Sequence, residues 1–188
     1  MAGYQELIGR IQALMAETQP VVLAIDGPCG SGKTTLAGRL MEDFPGSVTV
    51  HADDFFLQPH QRSPQRLQEP GGNMDRDRLN TQVLSRLRGG RPFQYQAYDC
   101  QENRLNPVLF APGPLVIIEG SYCLHPDLTG AYDLKVFLTI DPDTQLQRLK
   151  ARVPEAMLPR FQGEWIPMEN RYFEHFKIKE NSDLVLSL

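Results

Sequence analysis

The chain has 188 residues, 41% of them hydrophobic and 22% charged, which is typical of one globular domain with a substantial core. Its formal net charge of −4 gives no overall electrostatic reason to expect a nucleic acid or an anionic membrane surface as a partner. The three cysteines, Cys29, Cys100 and Cys123, have no CxxC spacing, which favours a reducing compartment over a disulfide framework.

The first predicted element is an amphipathic helix within residues 1–20, because the apolar residues there recur at helical spacing. The same segment contains Glu6 and Arg10 and lacks an unbroken apolar run, so the pattern is not that of a signal peptide. No stretch of the sequence approaches the length of a membrane span. We therefore expect a cytoplasmic protein without a membrane partner.

A predicted strand at 21–27, a helix at 31–44 and a second strand at 47–52 follow. Continuous apolar runs such as "VVLAIDG" are typical of strands that are buried on both faces of a parallel sheet. Residues 57–75 contain three prolines and two glycines and predict an irregular excursion from the domain. Two consecutive glycines then end a predicted helix over 76–90.

Strands and helices alternate again after a mixed aromatic and turn segment at 91–113, which predicts a short hairpin or edge strands. The later predicted elements are strands at 114–120, 133–141 and 182–188 and helices at 142–153 and 161–180. Five apolar strands alternating with helices predict an α/β fold with a doubly wound, mainly parallel sheet. Ligands of such sheets bind beyond the carboxyl ends of the strands.

The segment "GPCGSGKTT" satisfies the phosphate-binding pattern G-x-x-x-x-G-K-[ST] and lies between a predicted strand and a predicted helix. Its glycines allow backbone N–H groups to curl around a β-phosphate, and the following helix adds its positive N-terminal end. Lys33 is placed to reach the β- and γ-phosphates, and the Thr34 hydroxyl is placed to ligate Mg²⁺. We expect a P-loop for a nucleoside triphosphate with magnesium, formed by Gly27, Pro28, Cys29, Gly30, Ser31, Gly32, Lys33, Thr34 and Thr35.

Acidic residues follow two other predicted strands. Glu119 ends the strand at 114–120, where a Walker B acid would hold the metal. Asp53 and Asp54 follow the strand at 47–52, where a carboxylate can accept the proton of an attacking hydroxyl or hold Mg²⁺. Because successive side chains of an extended chain point to opposite faces, we expect only one of these two acids to face the phosphates. Capping of a turn is the alternative role for this pair.

In order and spacing, "GPCGSGKTT", "ADDFF", "VIIEGSY" and "RLKARV…LPRF" resemble the uridine kinase family of P-loop kinases over nearly the whole chain. That family also includes nicotinamide riboside kinases, pantothenate kinases and phosphoribulokinases. The resemblance implies that Asp53 is the catalytic base and approaches the metal, whereas Asp54 is structural. It also implies that Glu119 belongs to the magnesium shell.

The resemblance further implies a mobile lid, which we place at 148–162, whose arginines close over the phosphates. Arg148 and Arg152 are four residues apart and therefore share one helical face. We expect these two arginines to be catalytic and Arg160 to bind ATP, since arginines so placed stabilise charge on a transferring phosphoryl group. A solvated basic helix face is the alternative.

Uridine kinases carry a P-x-Y-D-F-x-x-H-x-R type segment that helps to hold the nucleoside. Tyr98 and Asp99 match this segment, but Cys100 replaces its aromatic residue, the histidine is missing and Arg104 lies one place early. This departure argues against uridine itself. The resemblance implies acceptor contacts for Tyr98, Asp99 and Asp75, with hairpin packing as the alternative for the first two residues. Asp75 also fits a helix N-cap, because it precedes the helix at 76–90.

The expected protein is a single P-loop kinase domain over 1–188, with an acceptor-side insertion at 57–112 and the lid at 148–162. It uses ATP and Mg²⁺ to phosphorylate a hydroxyl group of a small molecule, a nucleoside or related riboside. A nucleotide-dependent switch or binding module is the alternative from another class of protein. The sequence is also compatible with a homo-oligomer.

A nucleoside monophosphate kinase is the second enzyme alternative, since such kinases grip the acceptor phosphate with bidentate arginines. Four arginines cluster in and after the irregular segment: Arg62, Arg66, Arg76 and Arg78.

Two further groups of residues receive no functional role from the sequence. The histidines lie in different elements without metal-ligand spacing, so we expect structural or solvated positions for His51, His60, His125 and His175. One helical stripe predicts core packing for Trp165, Met168, Tyr172 and Phe176.

Overall fold

The structure is a computed structural model that describes residues 2–188. These residues form seven strands: β1 (Val21–Asp26), β2 (Val48–His51), β3 (Phe93–Asp99), β4 (Arg104–Phe110), β5 (Leu115–Glu119), β6 (Leu134–Thr139) and β7 (Leu184–Ser187). Five of them form one parallel sheet in the order β2-β5-β1-β6-β7. The predicted α/β fold with a doubly wound, mainly parallel five-stranded sheet is therefore confirmed.

The helices are α1 (Ala2–Glu17), α2 (Lys33–Asp43), α3 (Pro64–Gln68), α4 (Arg76–Leu79), α5 (Ser85–Leu87), α6 (Pro142–Arg152), α7 (Leu158–Arg160) and α8 (Ile166–Phe176). Two π-helical segments, Asn80–Leu84 and Phe161–Trp165, join α4 to α5 and α7 to α8. The predicted helices at 76–90 and 161–180 are therefore present, but each contains a π-helical segment. Within residues 2–188, no helix combines the length and the apolar character needed to cross a membrane.

The hydrophobic core lies on both faces of the parallel sheet. In β1, Val22 and Ala24 pack into one buried cluster, whereas Leu23 and Ile25 pack into the other. Helices α1 and α2 cover the second cluster, while α4, α5, α8 and the β3–β4 hairpin cover the first. Because both faces of β1 are buried, its sequence is a continuous apolar run rather than an alternating one.

Strands β3 and β4 form an antiparallel hairpin outside the main sheet, in register from Phe93 opposite Phe110 to Asp99 opposite Arg104. The predicted hairpin over 91–113 is therefore confirmed. It is anchored beside the main sheet by Tyr95, whose ring stacks on Phe55 with 5.5 Å between the centroids.

Strand β2 ends at His51, and the next four residues, Ala52–Phe55, form a 3₁₀-helix. The sequence prediction extended the strand through residue 52 and assumed extended geometry for Asp53 and Asp54, and this assumption is wrong. A 3₁₀-helix has three residues per turn, so consecutive side chains diverge by about 120° rather than 180°. The two carboxylates still point in different directions, but helical rotation separates them rather than strand alternation.

Candidate active site

A cleft of about 1160 Å³ lies at the carboxyl ends of β1, β2 and β5. It brings together the phosphate loop, the first turn after β2, the end of β5, the tip of the hairpin and the segment after α6. The predicted site residues that line it are Cys29, Gly30, Gly32, Lys33, Thr34, Thr35, Asp53, Tyr98, Asp99, Glu119, Arg148, Arg152 and Arg160. Gly27, Pro28 and Ser31 belong to the loop without lining the cleft, and Asp75 lies elsewhere.

Glycine is required at two turning points of the phosphate loop. At Gly27 the backbone φ is 145°, and a Cβ atom would lie 2.4 Å from the carbonyl oxygen of Leu138. At Gly32 φ is 99°, a left-handed conformation directly before α2 begins at Lys33. The loop is therefore closely packed against β6, and the N-terminus of the 11-residue helix α2 faces the cleft.

Lys33 and Ser31 have different surroundings within the phosphate loop. The ammonium of Lys33 donates to the carbonyl oxygens of Gly27 at 2.6 Å and Pro28 at 3.1 Å, which holds it within the loop. The Ser31 hydroxyl oxygen is buried and has no hydrogen-bond partner within residues 2–188.

Glu119 is the centre of a cluster of polar side chains at the end of β5. Its Oε1 accepts a hydrogen bond from the Thr34 hydroxyl at 3.1 Å and lies 2.6 Å from His51 Nδ1. Only 4% of Glu119 is exposed, and its hydrogen bond to His51 raises the pKa of that histidine. The sequence assigned no role to His51, although it directly precedes the predicted catalytic segment.

The oxygen atoms of Thr34, Glu119 and Asp53 have the chemistry that Mg²⁺ prefers. Within residues 2–188, no three His, Cys, Asp or Glu side chains form a cluster able to hold a metal by themselves. A set of one hydroxyl group and two carboxylates fits Mg²⁺, which is usually bound by one or two carboxylates together with water and substrate phosphates.

Asp53 and Asp54 have different surroundings. The Asp53 carboxylate faces the cleft and makes no side-chain hydrogen bond within the described residues 2–188, whereas Asp54 Oδ2 accepts from the Tyr95 hydroxyl at 3.2 Å. Asp53 is exposed at the cleft opening. Desolvation by the protein atoms around its carboxylate raises its pKa, and the positive charge of Lys33 opposes this effect. Asp54 also borders the cleft, but one of its two carboxylate oxygens is held by Tyr95.

The three arginines of the predicted lid make different contacts. Arg148 donates to the carbonyl oxygens of Gly30 at 3.1 Å and Leu188 at 2.7 Å, so α6 is linked to the phosphate loop. Arg160 pairs with Glu164 at 2.8 Å, and its guanidinium lies 4.8 Å from the centre of the Trp165 ring. Arg152 is exposed and lines the cleft.

The predicted core position of Trp165 is wrong, because this side chain lines the cleft. Met168 and Tyr172 of the same stripe are buried, as expected, and Phe176 is half-buried. The π-helical segment Phe161–Trp165 changes the angular position of Trp165 relative to the residues of α8, which a pattern based on 3.6 residues per turn does not include.

Tyr98 and Asp99 place the end of the hairpin at the cleft. The Tyr98 hydroxyl donates to Asn103 Oδ1 at 2.8 Å. Asp99 accepts from the backbone N–H groups of Gln101 and Glu102 at 2.8 and 3.0 Å, and these bonds lower its pKa. Both residues therefore shape the hairpin turn as well as border the cleft.

Asp75 does not reach the cleft. Its carboxylate caps α4 by accepting from the backbone N–H of Arg78 at 3.0 Å, and it also accepts from the Gln61 amide at 2.8 Å. The geometry supports the capping alternative, whereas the acceptor contact of Asp75 stays a prediction.

Protein groups occupy three of the four arginines that suggested a monophosphate acceptor. Arg66 pairs with Glu69, and Arg76 pairs with Asp127 at 3.0 Å. The buried guanidinium of Arg78 binds the carbonyl oxygens of Asp54, Gln96 and Phe56. Only Arg62 of this group lines the cleft.

Sequence reasoning missed a buried acid, Glu169, and no pattern in the sequence distinguishes it from other acids of α8. Its Oε2 accepts from the backbone N–H of Cys29 at 2.9 Å, and its Oε1 accepts from the Ser121 hydroxyl at 2.6 Å. Burial and the nearby Glu169 charge raise the pKa of the Cys29 thiol to about 12, so Cys29 is not a reactive thiolate.

Asp26, Asn73 and Tyr122 were also missed. Asp26 ends β1, the same strand-end signal that identified Glu119, and burial raises its pKa to about 6. Asn73 borders the cleft, and its buried Oδ1 has no partner within residues 2–188. Tyr122 borders the cleft with a positive φ of 75°, a strained conformation for a tyrosine.

No protein-family model matches the chain. It is 29% identical over 188 residues to a uridine kinase from Staphylococcus haemolyticus, an alignment that covers 92% of this chain and 88% of that protein. A uridine kinase from Staphylococcus epidermidis is 27% identical over 184 residues, which cover 89% of this chain and 87% of that protein.

Two solved structures have the same fold as this chain. A possible uridine kinase from Bacillus stearothermophilus has a TM-score of 0.69 at 22% identity, covering 97% of this chain and 100% of that one. A protein from Silicibacter sp. TM1040 described as a fructose transport system kinase has a TM-score of 0.70 at 22% identity, covering 96% and 98%. The two solved structures show the shared fold. Together with the P-loop cleft, the similarity to the relatives named uridine kinase supports an ATP-dependent kinase of the uridine kinase type, a phosphotransferase with a hydroxyl group as acceptor.

Proposed function

We propose that the protein transfers the γ-phosphoryl group of ATP, bound with Mg²⁺, to a hydroxyl group of a nucleoside or a related riboside. The observation that carries this proposal is the Asp53 carboxylate. It lies without a side-chain hydrogen bond to residues 2–188 in the same cleft as the phosphate loop and Glu119. The relatives named uridine kinase support a nucleoside-like acceptor.

In this proposal, the loop from Gly27 to Thr35 binds the phosphates of ATP through its backbone N–H groups and the N-terminus of α2. Lys33 contacts the β- and γ-phosphates. Thr34, Glu119 and Asp53 are the residues that would hold Mg²⁺, which when bound supplies positive charge to the phosphate oxygens.

Asp53 acts as the general base and accepts the proton of the acceptor hydroxyl as that oxygen attacks the γ-phosphorus. Its position fits this role, because the carboxylate is open to the cleft and has no competing hydrogen bond from residues 2–188. Desolvation by the surrounding protein raises its pKa, which makes the ionised form a stronger base than an aspartate with the usual pKa.

Arg148, Arg152 and Arg160 stabilise negative charge on the transferring phosphoryl group. Arg148 lies beside the phosphate loop, because it donates to the carbonyl oxygen of Gly30 and lines the cleft. The exposed side chains of Arg152 and Arg160 border the same cleft. In this proposal, the segment 148–162 closes over the phosphates as a lid and brings these two arginines to them.

The acceptor lies in the part of the cleft bordered by Tyr98, Asp99 and the hairpin tip. A monophosphate acceptor fits this region less well, since Arg62 is the one member of the four-arginine group within residues 2–188 that lines the cleft. A nucleotide-dependent switch or binding module needs no general base. The Asp53 carboxylate, which has no side-chain hydrogen bond to residues 2–188, lies in the same cleft as the phosphate loop.

An acceptor panel tests the proposal. The purified protein is incubated with ATP and MgCl₂ and, in separate reactions, uridine, cytidine, nicotinamide riboside, pantothenate, fructose, UMP and CMP. ADP release is followed and each product is identified by mass. We expect ADP release to depend on a nucleoside or riboside and to yield its monophosphate. Turnover with UMP or CMP alone, with fructose alone, or with no acceptor dependence would contradict the proposal.

A further inference from the structure

His51 and Glu119 occupy directly paired positions at the carboxyl ends of the neighbouring strands β2 and β5. Their side chains lie on the same side of the sheet, with 2.6 Å between His51 Nδ1 and Glu119 Oε1. The same oxygen accepts the Thr34 hydroxyl at 3.1 Å. The three side chains therefore form a chain of hydrogen bonds that runs from the edge of the sheet to the first turn of α2.

The direction of these hydrogen bonds follows from the chemistry of the groups. An ionised carboxylate can only accept, so both the imidazole N–H and the Thr34 O–H donate to Glu119. One carboxylate oxygen has two acceptor sites, and the two donors occupy both. Because the hydroxyl proton of Thr34 is directed to Glu119, the oxygen lone pairs of Thr34 stay available for a cation.

Glutamate has three side-chain torsions and would otherwise sample several rotamers. Thr34 forms only one hydrogen bond with Glu119. The His51 ring holds the same carboxylate oxygen from the neighbouring strand β2. We propose that His51 is a positioning residue that keeps Glu119 oriented toward Thr34 and thereby prepares the binding site for the divalent cation of the ATP complex. This inference rests on the magnesium role in the proposed function.

His51 is suited to substitution because it lies on an edge strand and about half of its side chain is exposed. Its replacement therefore removes a hydrogen bond without opening a cavity in the core. Residues that orient metal ligands typically change metal affinity by about 10- to 100-fold when they are mutated.

The test compares His51→Ala with His51→Asn, because the asparagine amide places an N–H donor near the position of Nδ1. His175→Ala is the matched control, since His175 is exposed on α8 and does not line the cleft. Binding of Mn²⁺ to the protein–ATP complex is measured by electron paramagnetic resonance, and ATP binding without metal is measured by calorimetry. Neither readout depends on the acceptor or on turnover.

We expect His51→Ala to weaken Mn²⁺ binding by about tenfold, with ATP binding in the absence of metal unchanged. His51→Asn and His175→Ala should both stay close to the wild-type Mn²⁺ affinity. If His51→Ala lowers the thermal unfolding midpoint, His51→Phe is used in place of the alanine variant, because phenylalanine keeps a ring at this position and lacks the N–H donor.

Wild-type Mn²⁺ affinity in His51→Ala or His51→Phe would overturn the inference, and so would an equal loss in His51→Asn. A wild-type complex whose ATP site does not bind Mn²⁺ would overturn both this inference and the magnesium role. Intact, His51-dependent metal binding without phosphorylation of any hydroxyl acceptor would contradict only the proposed function.

Discussion

The carboxylate of Glu169 accepts a hydrogen bond from the backbone N–H of Cys29 at 2.9 Å, which joins α8 directly to the phosphate loop. The other carboxylate oxygen accepts from Ser121, two residues after Glu119. Only 5% of Glu169 is exposed. One buried side chain thus fixes the positions of two segments that border the cleft.

Replacement of Glu169 by alanine should leave the Cys29 N–H and the Ser121 hydroxyl without partners and lower the free energy of unfolding by about 2 kcal/mol. For a chain of this size, that corresponds to a fall of about 4–8 °C in the thermal unfolding midpoint. Glu169→Gln should be milder, because the amide can accept from Cys29 while its NH₂ group donates to Ser121. Glu174→Ala, an exposed position on α8, is the control, and equal midpoints for the two alanine variants would contradict the role of Glu169.

His125 predicts a pH dependence of stability. It is 5% exposed, Nδ1 accepts from the Asp127 backbone N–H at 3.2 Å, and burial together with the Arg76 charge lowers its pKa to about 4. The unfolded chain binds a proton near pH 6.5, whereas the folded chain does so only near pH 4, so stability is lost as the pH falls through this interval.

Between pH 7 and pH 5, this difference should lower the free energy of unfolding by about 2 kcal/mol. The measurement is urea unfolding of the wild type and His125→Phe at both values, since other groups titrate equally in the two proteins. The variant should show a smaller loss on acidification. Equal losses in both proteins would mean that His125 is not held neutral by the fold.

Arg78 should be a structural arginine that lysine cannot replace. Its guanidinium donates at once to the carbonyl oxygens of Asp54 at 2.9 Å and Phe56 at 3.1 Å, and its planar group lies 4.8 Å from the centre of the Phe55 ring. A lysine ammonium cannot reproduce this fork, so Arg78→Lys should lower the free energy of unfolding by about 2 kcal/mol.

Chemical denaturation measures this effect, with the exposed Arg86→Lys as a control that should stay near the wild type. A stable Arg78→Lys variant with a raised KM for a monophosphate acceptor would instead support the monophosphate kinase alternative.

Much of the fold was predictable because each buried strand carries its own signal. The apolar runs before Gly27 and Gly120 predicted strands that the structure places side by side as β1 and β5. The phosphate loop was predictable for the same reason, since its pattern is local and its flanking strand and helix are adjacent in sequence. The acid Glu119 followed from its place at the end of a strand.

The missed features depend on relationships that the sequence does not contain. His51 meets Glu119 through the register of two strands 68 residues apart, and Glu169 reaches Cys29 across 140 residues. Trp165 was placed in the core because the pattern assumed continuous α-helix, whereas a π-helical segment rotates this side chain into the cleft. The 3₁₀-helix after β2 is too short to have its own periodicity.

Gly120 should be intolerant of alanine. Its φ is 141°, and a Cβ atom there would lie 2.7 Å from the Cβ of Ala52, directly beside Asp53 and Glu119. Gly120→Ala should therefore displace both acids and lower kcat by more than about tenfold together with stability. Gly38→Ala, in the interior of α2 with open space around it, should instead stabilise the protein by about 0.5–1 kcal/mol. Steady-state kinetics and thermal unfolding of the two variants distinguish the effect at Gly120 from a general cost of adding a methyl group. A wild-type kcat in Gly120→Ala would contradict the close packing of Gly120 against Ala52 as a requirement of the site.

The central claim is that Asp53, and not its neighbour Asp54, is the base that activates an acceptor hydroxyl. The most direct measurement is acceptor-dependent ADP release by Asp53→Asn and Asp54→Asn, with ATP binding measured in parallel. We expect Asp53→Asn to lower turnover by about 10²- to 10⁴-fold while ATP still binds, and Asp54→Asn to have a much smaller effect. Equal losses at both positions, or unchanged turnover in Asp53→Asn, would contradict it.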